Sequence, residues 1–326
     1  MKPKVLVTRR LAPDAMALLQ EKFDAQFNPY DRLLNREEFL EMVRGKEGLL
    51  PLLTEQVDAE VMEECGPQLK VIANHAVGFN NIDIAEATAR GIAVTNTPGV
   101  LTDTTADLAM ALLLAVSRRI VESDAFARAG NYRGWDPLLL LGTDVHHKTL
   151  GLLGFGRVGF ALAKRAFGFG MRILYYDVRR ADLETEREVE AEFMDKEALL
   201  THADFISIHV PLMPQTKQFI GTREFSMMKP TAYIINTARG EVIDEEALVE
   251  ALKSGRIAGA GLDVFEREPL IHPALIKMDN VVLLPHIGSA SIETRTKMGM
   301  MATENLIVAL IDGKRPPNCL NPEVFE

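Results

Sequence analysis

Lys148-Thr149-Leu150-Gly151-Leu152-Leu153-Gly154-Phe155-Gly156-Arg157-Val158-Gly159 decides how the rest of this chain is read. A short apolar run passes into GxGxxG, and the helical stretch Phe160–Phe167 follows. In that context Gly154 allows a tight turn, Gly156 lets a pyrophosphate approach the backbone, and Gly159 lets helix and strand pack closely. Phosphates would rest on the N–H groups of Arg157 and Val158, at the positive end of the helix. The next apolar run, Arg172-Ile173-Leu174-Tyr175-Tyr176, ends in Asp177, roughly 20 residues beyond Gly154, where a carboxylate can hold both ribose hydroxyls. Its charge would repel a 2′-phosphate, which favours NAD (as NADH) over NADP. Arg179-Arg180 close by could neutralise such a phosphate, so the preference is not strict.

Working outward, short β-rich runs recur with helical stretches between them. Upstream these are Val5–Thr8, Gly48–Leu53, Val71–Asn74 and Ile92–Thr95, with a further candidate at Ala25–Asn28. Downstream come Thr149–Leu153, Arg172–Asp177, Phe205–Val210, Ala232–Asn236, Gly259–Val264 and Val281–Leu284, the six strands of a complete dinucleotide fold. Continuous apolar runs suit parallel strands covered on both faces. A chain of 326 residues is long for one core, and two domains are expected. The turn Thr97-Pro98-Gly99 suits a crossover, and the tail after Ser289 is helical to about Asp312 without strands of its own. The expected fold is therefore α/β, with two doubly wound parallel-sheet domains. A Rossmann NAD-binding domain (residues 99–289) is inserted in a smaller flavodoxin-like substrate domain (1–98 plus 290–326).

Composition narrows the partners. Acidic residues (46) outnumber basic ones (36), giving a net charge of −10. Nucleic acid is not expected, because a polyanion needs a clustered Lys/Arg face, and Arg9-Arg10 and Arg118-Arg119 are isolated pairs. The two cysteines, Cys65 and Cys319, form no disulfide framework and no CxxC, so reduced thiols and no metal are expected. Met1–Thr8 runs into Arg9-Arg10 without a signal-peptide apolar region. The longest apolar run, Leu108–Val116, is about half a membrane span. A cytoplasmic protein with no membrane association is expected.

Three polar residues follow predicted strands of the second half, where open α/β sheets place their ligands. Arg239 follows Ala232–Asn236, Glu268 follows Gly259–Val264, and His286 follows Val281–Leu284. Reducing a 2-oxo acid needs a cation for the carboxylate and a proton donor for the developing alkoxide. Arginine offers a bidentate clamp, and histidine is the general acid of the neutral range. A carboxylate beside the histidine would stabilise the imidazolium.

At these residues the chain resembles the D-isomer-specific 2-hydroxyacid dehydrogenases over essentially its whole length. The resemblance is carried by the glycine loop, Asn236-Thr237-Ala-Arg239-Gly240, Gly259-Ala-Gly-Leu-Asp263-Val-Phe-Glu-Arg-Glu268-Pro and Pro285-His286-Ile-Gly288-Ser. His75-Ala-Val77-Gly78-Phe-Asn-Asn81-Ile-Asp83 and Asn96-Thr-Pro-Gly-Val-Leu-Thr-Asp-Thr-Thr105-Ala-Asp107 add to it. It implies that Arg239 clamps the substrate, that His286 paired with Glu268 gives the proton, and that the N–H groups of Val77 and Gly78 hold the carboxylate. It also implies that Asp263 binds the nicotinamide carboxamide, with Thr105, Thr237, His286 and Gly288 nearby and His209-Val-Pro211 along the adenosine. A homodimer is implied too. Within the family the chain is most similar to glyoxylate and hydroxypyruvate reductases, through Asn74-His-Ala-Val-Gly-Phe and Gly134-Trp135-Asp-Pro-Leu. In those relatives the tryptophan reaches the substrate pocket of the partner subunit, which assigns Trp135 to substrate. The expected ligand is thus a small 2-oxo or 2-hydroxy acid. The alternatives are another preferred acid (D-glycerate, D-lactate or longer) and an NAD-sensing, corepressor-like binding protein.

Overall fold

The computed structural model describes residues 1–30 and 32–326. Twelve strands lie among the described residues: β1 (Lys4–Val7), β2 (Asp24–Phe27), β3 (Gly48–Leu50), β4 (Val71–Ala73), β5 (Ala93–Thr95), β6 (Thr149–Leu153), β7 (Arg172–Tyr176), β8 (Glu192–Phe193), β9 (Phe205–Ile208), β10 (Tyr233–Asn236), β11 (Gly259–Leu262) and β12 (Val281–Leu283). They form two all-parallel sheets, ordered β2-β1-β3-β4-β5 and β12-β11-β10-β9-β6-β7-β8. The first is the flavodoxin-like order. The second, counted within its own sheet, is the Rossmann order 3-2-1-4-5-6 with one strand added.

The chain divides into Met1–Leu101 with Ser289–Glu326, and Thr102–Gly288. These limits fall at 101/102 and 288/289 rather than 98/99 and 289/290. The first limit moves because the helix Thr102–Ser117 buries Ala106, Ala109, Met110 and Leu113 in the core of the second sheet from its first turns onward.

In the first unit the period-2 alternation of strands sends side chains to two faces. Leu6, Leu49, Ile72 and Val94 pack with Phe39, Val61 and Met62 on one side. Val5, Val7, Leu50, Val71 and Ala73 pack with Leu19, Ala302 and Leu306 on the other. The last two residues belong to the helix Ile292–Leu310, capped by the Ser291 side chain, so the C-terminal tail shares this core.

The second unit repeats the logic. Leu150, Leu152, Ile173, Tyr175 and Phe205 face one layer of helices, and Leu153, Leu174, Ile206, Ile208 and Leu262 face the other. Strand β8 has no signature in the sequence, because its two residues are exposed, polar at one end, and carry no apolar run. Several strands are also shorter than their apolar stretches: β3 stops at Leu50, β9 at Ile208 and β11 at Leu262. Beyond β9 and β11, the residues after the last ladder bond enter the loops that build the site. Among the described residues, no helix is long and apolar enough to cross a membrane.

Candidate active site

The glycine loop follows β6. Gly154 has φ +98°, and a Cβ there would stand 2.7 Å from the carbonyl carbon of His209. A Cβ on Gly159 would stand 2.2 Å from the Gly154 carbonyl oxygen. Neither position tolerates a side chain, since both close contacts are with backbone. At Gly156, which precedes the helix Arg157–Gly168, a Cβ would meet nothing within 4 Å. That open space lies before the first turn, where the N–H groups of Arg157 and Val158 lack intrahelical partners. Asp177 accepts a hydrogen bond from Phe155 N–H at 2.8 Å through one oxygen, which fixes the carboxylate against the loop.

His209 joins the same turn. Its N–H donates to the Leu153 carbonyl at 2.7 Å, its Nε2 lies 2.9 Å from Ser207 Oγ, and burial pulls the imidazole down to about 4. It is therefore neutral at pH 7. Pro211 continues the loop, and its carbonyl accepts from Thr216 Oγ1 at 2.6 Å. Thr237 Oγ1, after β10, is buried without a hydrogen-bond partner. An orphaned hydroxyl, a carboxylate at the end of β7 and an open helix start all fit a dinucleotide laid across the ends of this sheet.

Three loops at the ends of β10, β11 and β12 carry the ionisable residues. Asn236 folds back over its own turn, accepting from Ala238 N–H at 3.0 Å and donating Nδ2 to the Arg239 carbonyl at 2.9 Å. A Cβ on Gly240 would lie 1.9 Å from the carbonyl carbon of Phe265. Only glycine lets the Arg239 loop sit this closely on the Phe265–Glu266 backbone. Burial pulls the half-buried Arg239 guanidinium down, opposed by Glu268 and Glu241, yet an arginine so placed stays cationic.

Glu268 binds His286 and feels the charge of Arg239. Its Oε1 accepts from Phe265 N–H at 3.1 Å, and its Oε2 lies 2.8 Å from His286 Nδ1. Burial pushes its carboxyl up, but the His286 hydrogen bond, the His286 charge and Arg239 carry it below the usual carboxylate range. It is an anion at neutral pH, so Nδ1 of His286 donates to it and Nε2 is left to exchange a proton.

His286 sits at φ +54°, a left-handed conformation that costs a bulky residue about 1–3 kcal/mol. Asp263 imposes it. Its carbonyl accepts from His286 N–H at 2.9 Å, and its two carboxylate oxygens accept from Ile287 and Gly288 N–H at 2.7 Å each. Burial pushes this carboxyl up, against those donors and His286. Gly288 lies between Asp263 and Thr105, where a Cβ would stand 3.2 and 3.5 Å from their side chains. Glu268 is thus hydrogen-bonded to His286 and lies in the field of Arg239, and Thr105, Asp263 and Gly288 form a neighbouring cluster.

Val77 and Gly78 lie in the other unit, half-buried in the loop after β4. Trp135 stands 83% exposed after the helix Ile120–Arg128. Gly240 carries no assigned role in the sequence. Gly240 stands immediately beside Arg239, so a glycine following a functional cation is the signal that could have marked it.

Such an arrangement defines an oxidoreductase of CH–OH groups that works with a nicotinamide dinucleotide. The family model "D-isomer specific 2-hydroxyacid dehydrogenase, NAD binding domain" matches residues 110–288. The chain belongs to the D-isomer-specific 2-hydroxyacid dehydrogenase family. It is 52% identical to a glyoxylate reductase of Thermococcus litoralis over 329 residues, covering 100% of this chain and 98% of that one. The solved glyoxylate reductase of Paecilomyes thermophila is similar at a TM-score of 0.87 and 32% identity, with 99% of each chain covered. An NADPH-dependent glyoxylate/hydroxypyruvate reductase from Sinorhizobium meliloti is similar at a TM-score of 0.85 and 33% identity, with 98% of each covered.

Proposed function

We propose that this enzyme reduces a small 2-oxo acid, glyoxylate or hydroxypyruvate, to the corresponding D-2-hydroxy acid with NADH. The observation that carries the reading is the 2.8 Å pairing of His286 Nδ1 with Glu268, set in the field of Arg239. The bound reduced nicotinamide supplies the hydride. Arg239 holds the substrate carboxylate and carbonyl as a planar fork. His286 delivers a proton from Nε2 to the carbonyl oxygen as the carbon is reduced, and Glu268 stabilises the imidazolium until then. The N–H groups of Val77 and Gly78 take the carboxylate as well, and Asp263 holds the nicotinamide carboxamide. The glyoxylate reductase names of the Thermococcus and Paecilomyes relatives support the choice of acid. The test is NADH oxidation followed with glyoxylate, hydroxypyruvate, pyruvate and longer 2-oxo acids. Higher kcat/KM on the first two is expected, and a clear preference for a longer acid would replace them. The exposed Leu138 and Leu141 beside Trp135 favour that second reading, a larger apolar substrate.

NADH rather than NADPH is supported by the fate of Arg180. Arg180 is held by Glu186 through two hydrogen bonds of 2.8 Å, and Glu186 is anchored by the buried Tyr175 hydroxyl at 2.6 Å. Arg180 is thereby engaged away from a 2′-phosphate, while Asp177 stays to repel one. Asp177→Ala is expected to lower the ratio of kcat/KM with NADH to that with NADPH by roughly 10-fold or more. Adding Glu186→Gln, which frees Arg180, should lower it further. A ratio unmoved by both changes would contradict these roles.

A homodimer is the proposed assembly. The helix Ile120–Arg128 buries none of its residues; Ile120 and Val121 on it, and Trp135, Leu138 and Leu141 in the segment that follows, are exposed. Apolar side chains at that density mark an interface. Sedimentation as a single 36.1 kDa species would argue against it.

A further inference from the structure

Three consecutive carbonyls in the loop after β4 are each held from within the first unit. Thr97 N–H donates to the Ala76 carbonyl at 2.9 Å, Asn96 Nδ2 to that of Val77 at 2.8 Å, and Asn74 Nδ2 to that of Gly78 at 2.9 Å. The peptide bonds here are trans, so the C=O and N–H of each unit point to opposite sides. Holding the Val77 carbonyl therefore sets the direction of the Gly78 N–H. The Ala76 and Gly78 carbonyls do the same for the N–H groups of Val77 and Phe79. Among the described residues, none of these three N–H groups donates a hydrogen bond. Each acceptor is satisfied and each donor is left over.

The two asparagines are themselves anchored. Asn96 is buried, and its carbonyl accepts from Asn305 Nδ2 at 3.3 Å. Asn305, wholly buried in the helix Ile292–Leu310, accepts in turn from Asn318 Nδ2 at 3.3 Å. Asn74 also donates to Asn81 Oδ1 at 3.1 Å, and Asn81 donates to the carbonyls of Leu52 and Glu55 at 2.9 and 3.1 Å. Asn74, Asn81, Asn96 and Asn305 are tied to one another and to the loop by these bonds, and a buried hydrogen-bonded network of this kind restricts motion. Donors fixed before a ligand arrives bind it without an ordering cost.

We propose that Asn96, supported by Asn74, is a positioning residue that holds the Val77–Gly78 peptide with its N–H turned toward the substrate carboxylate. This rests on the reading of Val77 and Gly78 given above, and the role demands an amide. Asn96→Asp keeps the shape but replaces the donor with an anionic acceptor facing the Val77 carbonyl, which turns the peptide away.

The test uses the full-length enzyme with bound NADH and oxamate, a non-reducible analogue of a 2-oxo acid. In the wild type, the Gly78 amide ¹⁵N resonance should shift on titration with oxamate. In Asn96→Asp the oxamate Kd and the glyoxylate KM should both rise roughly 10- to 100-fold, with kcat changed less than about threefold and NADH affinity unchanged. Asn96→Ala, which deletes the donor without adding charge, carries the same comparison should the aspartate variant not fold. A Gly78 shift in the wild type with undiminished oxamate affinity in the variant overturns the positioning role and leaves the carboxylate site standing. No shift at Gly78 removes that site and the proposal with it. A joint fall in kcat, NADH affinity and thermal midpoint at constant KM would mark Asn96 as merely structural and overturn the proposal.

Discussion

His286→Ala is expected to lower kcat by roughly 10²- to 10⁴-fold, the usual contribution of a positioned general acid, while NADH binds as before. The structure gives the imidazole one direction. Glu268 takes Nδ1 at 2.8 Å, and Asp263 pins the backbone of residues 286–288 through three hydrogen bonds. Those bonds come from main-chain N–H groups and survive the substitution, so the loop keeps its course and only the imidazole is lost. Added imidazole should therefore restore part of the activity of the alanine variant. A turnover number equal to that of the wild type would take His286 out of the mechanism.

Arg239→Lys is the second large effect, with kcat/KM on 2-oxo acids reduced by roughly 10²-fold. A lysine keeps the positive charge but offers a point charge in place of a planar fork. The site leaves little room for adjustment. Asn236 fixes the Arg239 carbonyl at 2.9 Å, and Gly240 brings the loop within van der Waals reach of Phe265. A shorter-reaching ammonium cannot move closer without breaking these contacts. Glu268 would keep a cation nearby, so the His286 pair should persist and NADH affinity should hold. Unchanged kinetics on every acid tested would defeat the assignment.

Both variants concern residues that were legible in the chain. Arg239, Glu268 and His286 each stand just after an apolar run, and parallel sheets put their chemistry at those ends. The glycine loop was equally readable, because close backbone approach requires glycine at Gly154 and Gly159 whatever surrounds them. The edge strand β8 was not readable, since two exposed residues leave no periodic signature. The strand ends are hard to read for the same kind of reason, as hydropathy does not register where ladder hydrogen bonds stop.

The sequence by itself determined the alternation of strands and helices, the dinucleotide turn, Asp177 and the chain order of the polar residues. Each is a local pattern whose meaning follows from backbone geometry or from spacing along one strand and its loop. Only the tertiary structure decided that Glu268 is the common neighbour of Arg239 and His286, that Glu186 takes Arg180, and that Asn96 reaches the Val77 carbonyl. Those are hydrogen bonds and fields between side chains set by how separate strands and loops come together in space. Hydrogen bonds act over about 3 Å and screened Coulomb forces over about 10 Å, and distance along the chain carries no record of them.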